Sequence, residues 1–301
     1  MRRRLSEKAQ AMLAQRDSAL KAQVKNIVVT NNLEISDEDD LIGNWVGMFY
    51  PHDSLWSLPE YESMLMDESE DVAQSEKINL CIDSLNGDAV FGHTVLNGLS
   101  RPFSGTYYKG GNKYYFKVNE PGNHPYDGSF NFHIAEEDSV ITGEWHSFNK
   151  VQIPAKQFEL KKKIFAYDPD LALEEWSQYA DYNKTRTEKH TDPEYGDWEQ
   201  EQVAASTGEA LLLNASNTLL TKEQVENMVK ADLFVIRNSI YARHGYSFKY
   251  PALRYFFSSQ SWYVPVQTDV RHELTDLEIQ NIDLLLRYEQ HAKEYYDHFG
   301  R

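Results

Sequence analysis

The sequence predicts an α+β chain in which an antiparallel β-barrel or sandwich, residues 40–168, precedes a small α-rich module, residues 215–301. Three observations predict it. From Leu41 onward, short aromatic and β-branched runs alternate with Gly, Asn and Asp turns, which is strand and hairpin chemistry. Near the C-terminus, two amphipathic patterns each open with capping-box spacing, at Thr221 with Gln224 and at Thr275 with Glu278. Between these regions, Asn183 to Ser206 is charged and poor in aliphatic residues, the composition of a linker.

In chain order, residues 1–39 read as a helix and an acidic linker. Leu5, Ala9, Met12, Leu13, Leu20 and Val24 make a weakly amphipathic pattern, more stalk than core. Lys and Arg are absent between Lys25 and Lys77, an interval holding 13 acidic residues, including Asp37-Glu38-Asp39-Asp40 and Asp67-Glu68. Such runs are usually solvated loops, and no regular spacing of oxygen ligands favours calcium. Eight strands follow: Gly43 to Tyr50, Lys77 to Asp83, Ala89 to Leu96, Arg101 to Tyr108, Lys113 to Val118, Ser129 to Ala135, Val140 to His146 and Gln157 to Lys162. Turn signals such as Asn86-Gly87-Asp88, Gly110-Gly111-Asn112 and Asp127-Gly128 suit an antiparallel meander. Residues 169–214 read as a helix, Asp170 to Tyr182, and a polar linker. From Thr221, the apolar residues Val225, Met228, Val229, Leu233, Ile236 and Ile240 predict one helix running to about His244, with Gly245 as its stop. A short helix over Pro251 to Ser258, a loop carrying Trp262-Tyr263 and a last helix after Thr275 complete the module.

Composition narrows the function classes. At 301 residues the chain suits two domains. Its 47 acidic and 30 basic residues give a formal charge of -17, which repels phosphate and excludes nucleic acid as an expected partner. Cys81 is the sole cysteine and lies in the apolar run Ile78 to Ile82, so it reads as a small hydrophobe, with neither a disulfide framework nor a thiolate metal site expected. No apolar run approaches the roughly 20 residues of a membrane helix. Met1-Arg2-Arg3-Arg4 lacks the apolar region of an export signal, although a basic start before a polar helix would suit the segment after a removed membrane anchor.

The segment Arg237-Asn238-Ser239-Ile240-Tyr241-Ala242-Arg243-His244-Gly245-Tyr246-Ser247-Phe248, with Trp262-Tyr263 and the helix from Leu274 to Glu289, resembles the YARHG domain family, and the five-residue motif Tyr241 to Gly245 is intact. The resemblance implies an accessory module of the bacterial cell envelope, outside the cytoplasm, and no particular reaction. Physically, each motif residue has a structural role available: Gly245 stops a helix, Arg243 and His244 serve the carbonyls of its last turn, and Tyr241 fills the core. The sharper reading places Arg237, Tyr241, Arg243, His244 and Trp262 around an anion or glycan, because guanidinium forks suit carboxylates and aromatic faces suit sugars.

In the first domain, Gly43-Asn44-Trp45 resembles the Gly-x-Trp signature at the first strand of lipocalins, which implies an up-and-down barrel closed at one end by Trp45, with room for an apolar ligand. Trp45, His93, Arg101, His124 and Asp127 are the candidate binding residues here, since polar groups concentrate in Gly92 to Arg101 and Glu120 to Gly128. His93, His124, His133 and His146 have no diagnostic metal spacing, so no metal is expected. Asp127 and Glu144 are candidate paired carboxylates for glycoside hydrolysis. A phosphate-cradling loop and a serine nucleophile elbow are both missing, and no catalytic residue or cofactor is assigned. The sequence therefore favours a non-catalytic binding or scaffolding protein of the bacterial cell envelope, contacting an envelope component or small ligand. The alternatives are a lipocalin-like carrier of an apolar molecule and a hydrolase of cell-wall glycan or peptide. No pattern sets an oligomeric state.

Overall fold

The computed structural model describes residues 35, 37–59, 61, 76–137, 139–175, 178–192, 194 and 196–295. The predicted N-terminal helix and the Asp67-Glu68 run lie outside the described residues.

Strands β1 (Gly43–Pro51), β2 (Glu76–Asn86), β3 (Ala89–Leu96), β4 (Leu99–Gly110), β5 (Lys113–Asn119), β6 (Gly128–Ala135), β7 (Val140–Ser147) and β8 (Ala155–Lys163) form a closed antiparallel barrel in chain order. Closure of β8 on β1, with Phe49 opposite Phe158, decides between barrel and sandwich. Each predicted strand overlaps an observed one. Alternation explains why: along β6, Phe130, Phe132 and Ile134 point inward while Ser129, Asn131 and His133 point outward. Phe116 stacks on Phe132 at 4.7 Å and on Tyr107 at 5.4 Å, so aromatic rings fill the middle of the barrel. The turn between β3 and β4 is the two-residue pair Asn97-Gly98, with φ of 55° and 71°, the left-handed geometry that a tight hairpin needs.

One end of the barrel is plugged. The acidic run folds as a 3-10 turn, Glu38–Leu41, capped by Asp37, and Leu41 is buried beneath the barrel. Trp45 is fully buried there and donates from Nε1 to Leu41 O at 2.9 Å. The cation over this ring is Lys162 on β8, with Nζ 5.7 Å from the ring centroid.

Residues 183 to 206, read from sequence as a linker, instead lie almost entirely in a hairpin of β9 (Ala180–Asp192) and β10 (Gly196–Ala205). Its pairing rests on polar and aromatic cross-strand contacts, including Lys189 with Glu199 at 3.1 Å and His190 stacked on Trp198 at 5.1 Å. A ribbon so charged and so poor in aliphatic residues has the composition of a linker. The predicted helix over Asp170 to Tyr182 is also not observed: residues 164–175 run as an irregular strap, and β9 begins at Ala180.

The C-terminal module comprises α1 (Lys222–Val225), α2 (Lys230–Arg243), α3 (Pro251–Ser258) and α4 (Asp276–Tyr295). The single helix expected from Thr221 divides in two, because Val229 is extended at φ -68° and ψ 152°. Ile236 and Ile240 of α2, Phe256 and Phe257 of α3, and Leu285 of α4 meet in its core. Both predicted capping boxes form: Gln224 accepts from Thr221 N at 2.8 Å, and Glu278 accepts from Thr275 N at 2.9 Å.

The two parts touch directly. Lys77 of β2 donates to Gln260 O at 2.9 Å and Tyr263 O at 3.2 Å, Asn79 donates to Pro265 O at 2.9 Å, and Gly98 N donates to Ser247 Oγ at 2.9 Å. Burial, with the nearby Lys163 charge, lowers the Lys77 ammonium to about 8.

Candidate functional site

The end of the barrel away from Trp45 opens into a cavity of about 460 Å³. That volume suits a small molecule. Phe49, Ile78, Phe130 and Trp145 supply apolar walls, and Arg101, Glu120, Lys156 and Glu76 bring charge to the opening. Arg254, from α3 of the C-terminal module, also lines it, so the site is built from both parts of the chain.

Two charge groupings shape this mouth. In the first, Glu76 accepts from Lys156 Nζ at 3.0 Å and from Arg254 Nη1 at 3.2 Å, while Lys156 Nζ sits 4.8 Å from the Phe49 ring centroid. In the second, Arg101 donates to Tyr126 O at 2.9 Å and lies 3.9 Å from both Glu120 and Asp127. Those carboxylates are within ion-pair reach but beyond a good hydrogen bond. Glu120 accepts from Gly128 N at 2.8 Å and Trp145 Nε1 at 3.3 Å. Burial pushes its carboxyl up, partly offset by those donors and by the Arg101 charge. Asp127 accepts from Asn123 N and His124 N, each at 3.0 Å, fixing the loop that presents Arg101's partners.

The structure thus brings together three of the five β-domain candidates, Arg101, His124 and Asp127, at one end. It separates the other two. Trp45 closes the opposite end, and His93 lies on the outer face with Asp83 at 2.9 Å. The candidate carboxylate pair is also divided: Asp127 is buried in the mouth loop, whereas Glu144 lines an outer groove of about 840 Å³ beside His52 and His146. Sequence reasoning missed Glu76, Lys156 and Arg254, because only barrel closure and domain contact bring them to one rim.

The motif residues form a different arrangement. Arg243 is 1% exposed and donates from Nε to Leu171 O at 2.8 Å and from Nη1 to Ser239 Oγ at 2.8 Å, with its guanidinium 5.9 Å from the Trp262 ring centroid. Trp262 Nε1 donates to Ala172 O at 2.9 Å. His244, 2% exposed, stacks on Tyr167 at 4.2 Å and bonds Glu278 through Nε2 at 2.9 Å. Tyr167 completes the contact by donating to Glu278 at 3.0 Å. Gly245 has φ 73°, and a Cβ there would lie 2.4 Å from Val266 and 2.9 Å from Phe165.

Arg243, His244 and Trp262 therefore converge on the chain's own strap, through Tyr167, Leu171 and Ala172. Arg237 stands apart, paired with Glu289 at 2.5 Å and 3.1 Å. Tyr241 is half-buried beside Tyr246 at 6.2 Å. The forks and rings expected to hold an anion or glycan are engaged with carbonyls and carboxylates of the protein itself.

No curated protein matches the chain. Among solved structures, the chain is similar to the crystal structure of Echinococcus granulosus fatty-acid-binding protein 1, at 12% identity over 42% of this chain and 99% of that one, with a TM-score of 0.24. A similarity of that size says nothing about what this barrel holds. Residues 209–290 match the model of the YARHG domain, and the C-terminal module of the chain is a YARHG domain.

Proposed function

We propose that the chain is a non-catalytic binding protein of the bacterial cell envelope, whose barrel mouth takes a small molecule with an apolar body and an anionic or hydrogen-bonding head. The observation that carries this reading is the 460 Å³ cavity with an aromatic interior and a charged rim. The apolar body would lie against Phe130 and Trp145, and the head would meet Arg101, whose two nearby carboxylates stand at 3.9 Å. The YARHG domain acts as scaffold: it contributes Arg254 to the rim and grips the strap leaving β8 through Arg243, His244 and Trp262. The envelope location rests on what the YARHG resemblance implies. Support for a non-catalytic role comes from Glu120 and Asp127, which are engaged with main-chain N–H groups.

The test is titration of the full chain with dodecanoate and dodecanol, followed by tryptophan fluorescence and native mass spectrometry. Saturable one-to-one binding is expected, tighter for the carboxylate. Leu96→Trp, which fills the cavity, weakens both probes at least about tenfold, and Arg101→Met removes the preference for carboxylate. Absence of binding by the folded protein, or binding indifferent to Leu96→Trp, overturns the reading.

A further inference from the structure

We propose that Cys81, Asp83 and His93, on the outer face of the barrel, form a site for a thiophilic divalent cation of the zinc type. Cys81 of β2 lies directly opposite His93 of β3, so a thiol and an imidazole share one cross-strand position. Immediately afterwards the pairing slips: Ile82 faces Gly92, Ser84 faces Phe91, and Asp83 is the extra residue of a β-bulge. Bulges re-aim side chains, and this one directs the Asp83 carboxylate to the same spot. His93 Nδ1 and Asp83 Oδ2 are 2.9 Å apart. One ligand atom from each of the three residues lies within 4.8 Å of the other two.

That triangle is close to what an ion requires. Metal–ligand distances of about 2.0 to 2.3 Å place the ligand atoms of a tetrahedral zinc roughly 3.3 to 3.8 Å apart, which side-chain movements of about 1 Å can reach. Cys81 is half-buried, while Asp83 and His93 lie at the rim, so an ion can enter without unfolding the sheet. Thiolate, imidazole and carboxylate together favour zinc or cobalt over calcium or magnesium, which take oxygen alone. Three protein ligands leave the fourth position to water.

The Cys81 thiol carries the proton that the metal would replace. Burial, reinforced by the Asp83 carboxylate, pushes the Cys81 thiol up to about 12. On binding, the S–H bond breaks, sulfur keeps the electron pair and bonds the cation, and the proton passes to solvent. His93 and Asp83 exchange their mutual contact for the ion. The metal keeps its oxidation state. This site is separate from the barrel mouth, so it stands or falls independently of the ligand proposed there.

Cobalt(II) titration of the reduced, full chain tests the inference by absorption spectroscopy. The expected result is a thiolate-to-cobalt charge-transfer band with tetrahedral d–d bands, saturating at one equivalent and displaced by one equivalent of zinc. Cys81→Ser abolishes the charge-transfer band, and His93→Asn and Asp83→Asn each weaken binding at least about tenfold. His146→Asn, which alters a separate histidine–carboxylate grouping with Glu144, leaves the titration unchanged. Circular dichroism verifies the folding of every variant, and His93→Asn supplies an independent reading if Cys81→Ser fails to fold. No binding, cobalt bound without a thiolate band, or a band whose affinity ignores both rim variants overturns the proposal.

Discussion

Replacing Glu278 with glutamine isolates the charge that ties three elements of the YARHG domain together. The carboxylate is fully buried and accepts from His244 Nε2 at 2.9 Å, from Thr275 N at 2.9 Å and from Tyr167 OH at 3.0 Å. It thereby joins the helix start, the motif histidine and the strap. Burial alone would raise its pKa, but the hydrogen bonds from His244, Thr275 and Ser216 pull it down to about 2, from an ordinary 4.5. At about 1.4 kcal/mol per pH unit, the gap between those values corresponds to roughly 3 kcal/mol. The folded pKa is the lower one, so this stability is present above about 4.5 and is lost as the pH falls towards 2. Glutamine has nearly the same shape but no charge, and its NH₂ turns towards donors that need an acceptor. Urea unfolding should show Glu278→Gln less stable than the parent by about 3 kcal/mol at pH 7, with the difference falling to less than half by pH 3. Equal stability at pH 7, or a difference that grows on acidification, would refute the reasoning.

Asp232 carries the opposite sign. Its burial, opposed by two hydrogen bonds from Thr207 and reinforced by Glu209, raises the carboxyl to about 6, so its contribution is present below an ordinary 3.8 and lost as pH rises through 6. Asp232→Asn should therefore gain stability relative to the parent between pH 4 and pH 7, by up to about 3 kcal/mol less any weakened hydrogen bonding, as thermal melts at both pH values will show. Gly245→Ala combines left-handed backbone strain with contacts to Val266 and Phe165, and should cost roughly 2 to 5 kcal/mol, read as a lowered melting temperature. Arg243→Lys keeps the charge but loses the fork that reaches Leu171 and Ser239, and should cost about 2 to 4 kcal/mol. Limited proteolysis should then cut between residues 164 and 175 sooner than in the parent.

Much of the fold was legible because its signals are local. The eight barrel strands could be read from aromatic and β-branched runs bounded by turn residues, and Ala89–Leu96 coincides with its predicted bounds. Thr275 with Glu278 announced a capping box, and Gly245 a helix stop, because each depends on neighbours three or four positions away. The β9–β10 hairpin was not legible. Its pairs are polar on both faces, so its register rests on cross-strand partners that the one-dimensional pattern does not mark. The candidate sites followed the same division: Arg101 and Asp127 were singled out by the polar character of their segments, whereas Lys156 and Arg254 sat in runs with no distinguishing feature.

By itself, the sequence determined the strand meander, the helix caps and the identity of the YARHG motif, since all of these follow from residue type at short spacing. The tertiary structure decided what those residues touch. Barrel closure set Lys162 over Trp45, 117 positions away in the chain, and gathered Glu76 and Lys156 at the mouth. Domain contact delivered Arg254 to the same rim and laid the strap across Arg243, His244 and Trp262. The same amino-acid pattern that suits an external anion or glycan also suits a segment of its own chain, because buried forks and rings satisfy whichever acceptor reaches them first, and here chain connectivity delivers the strap.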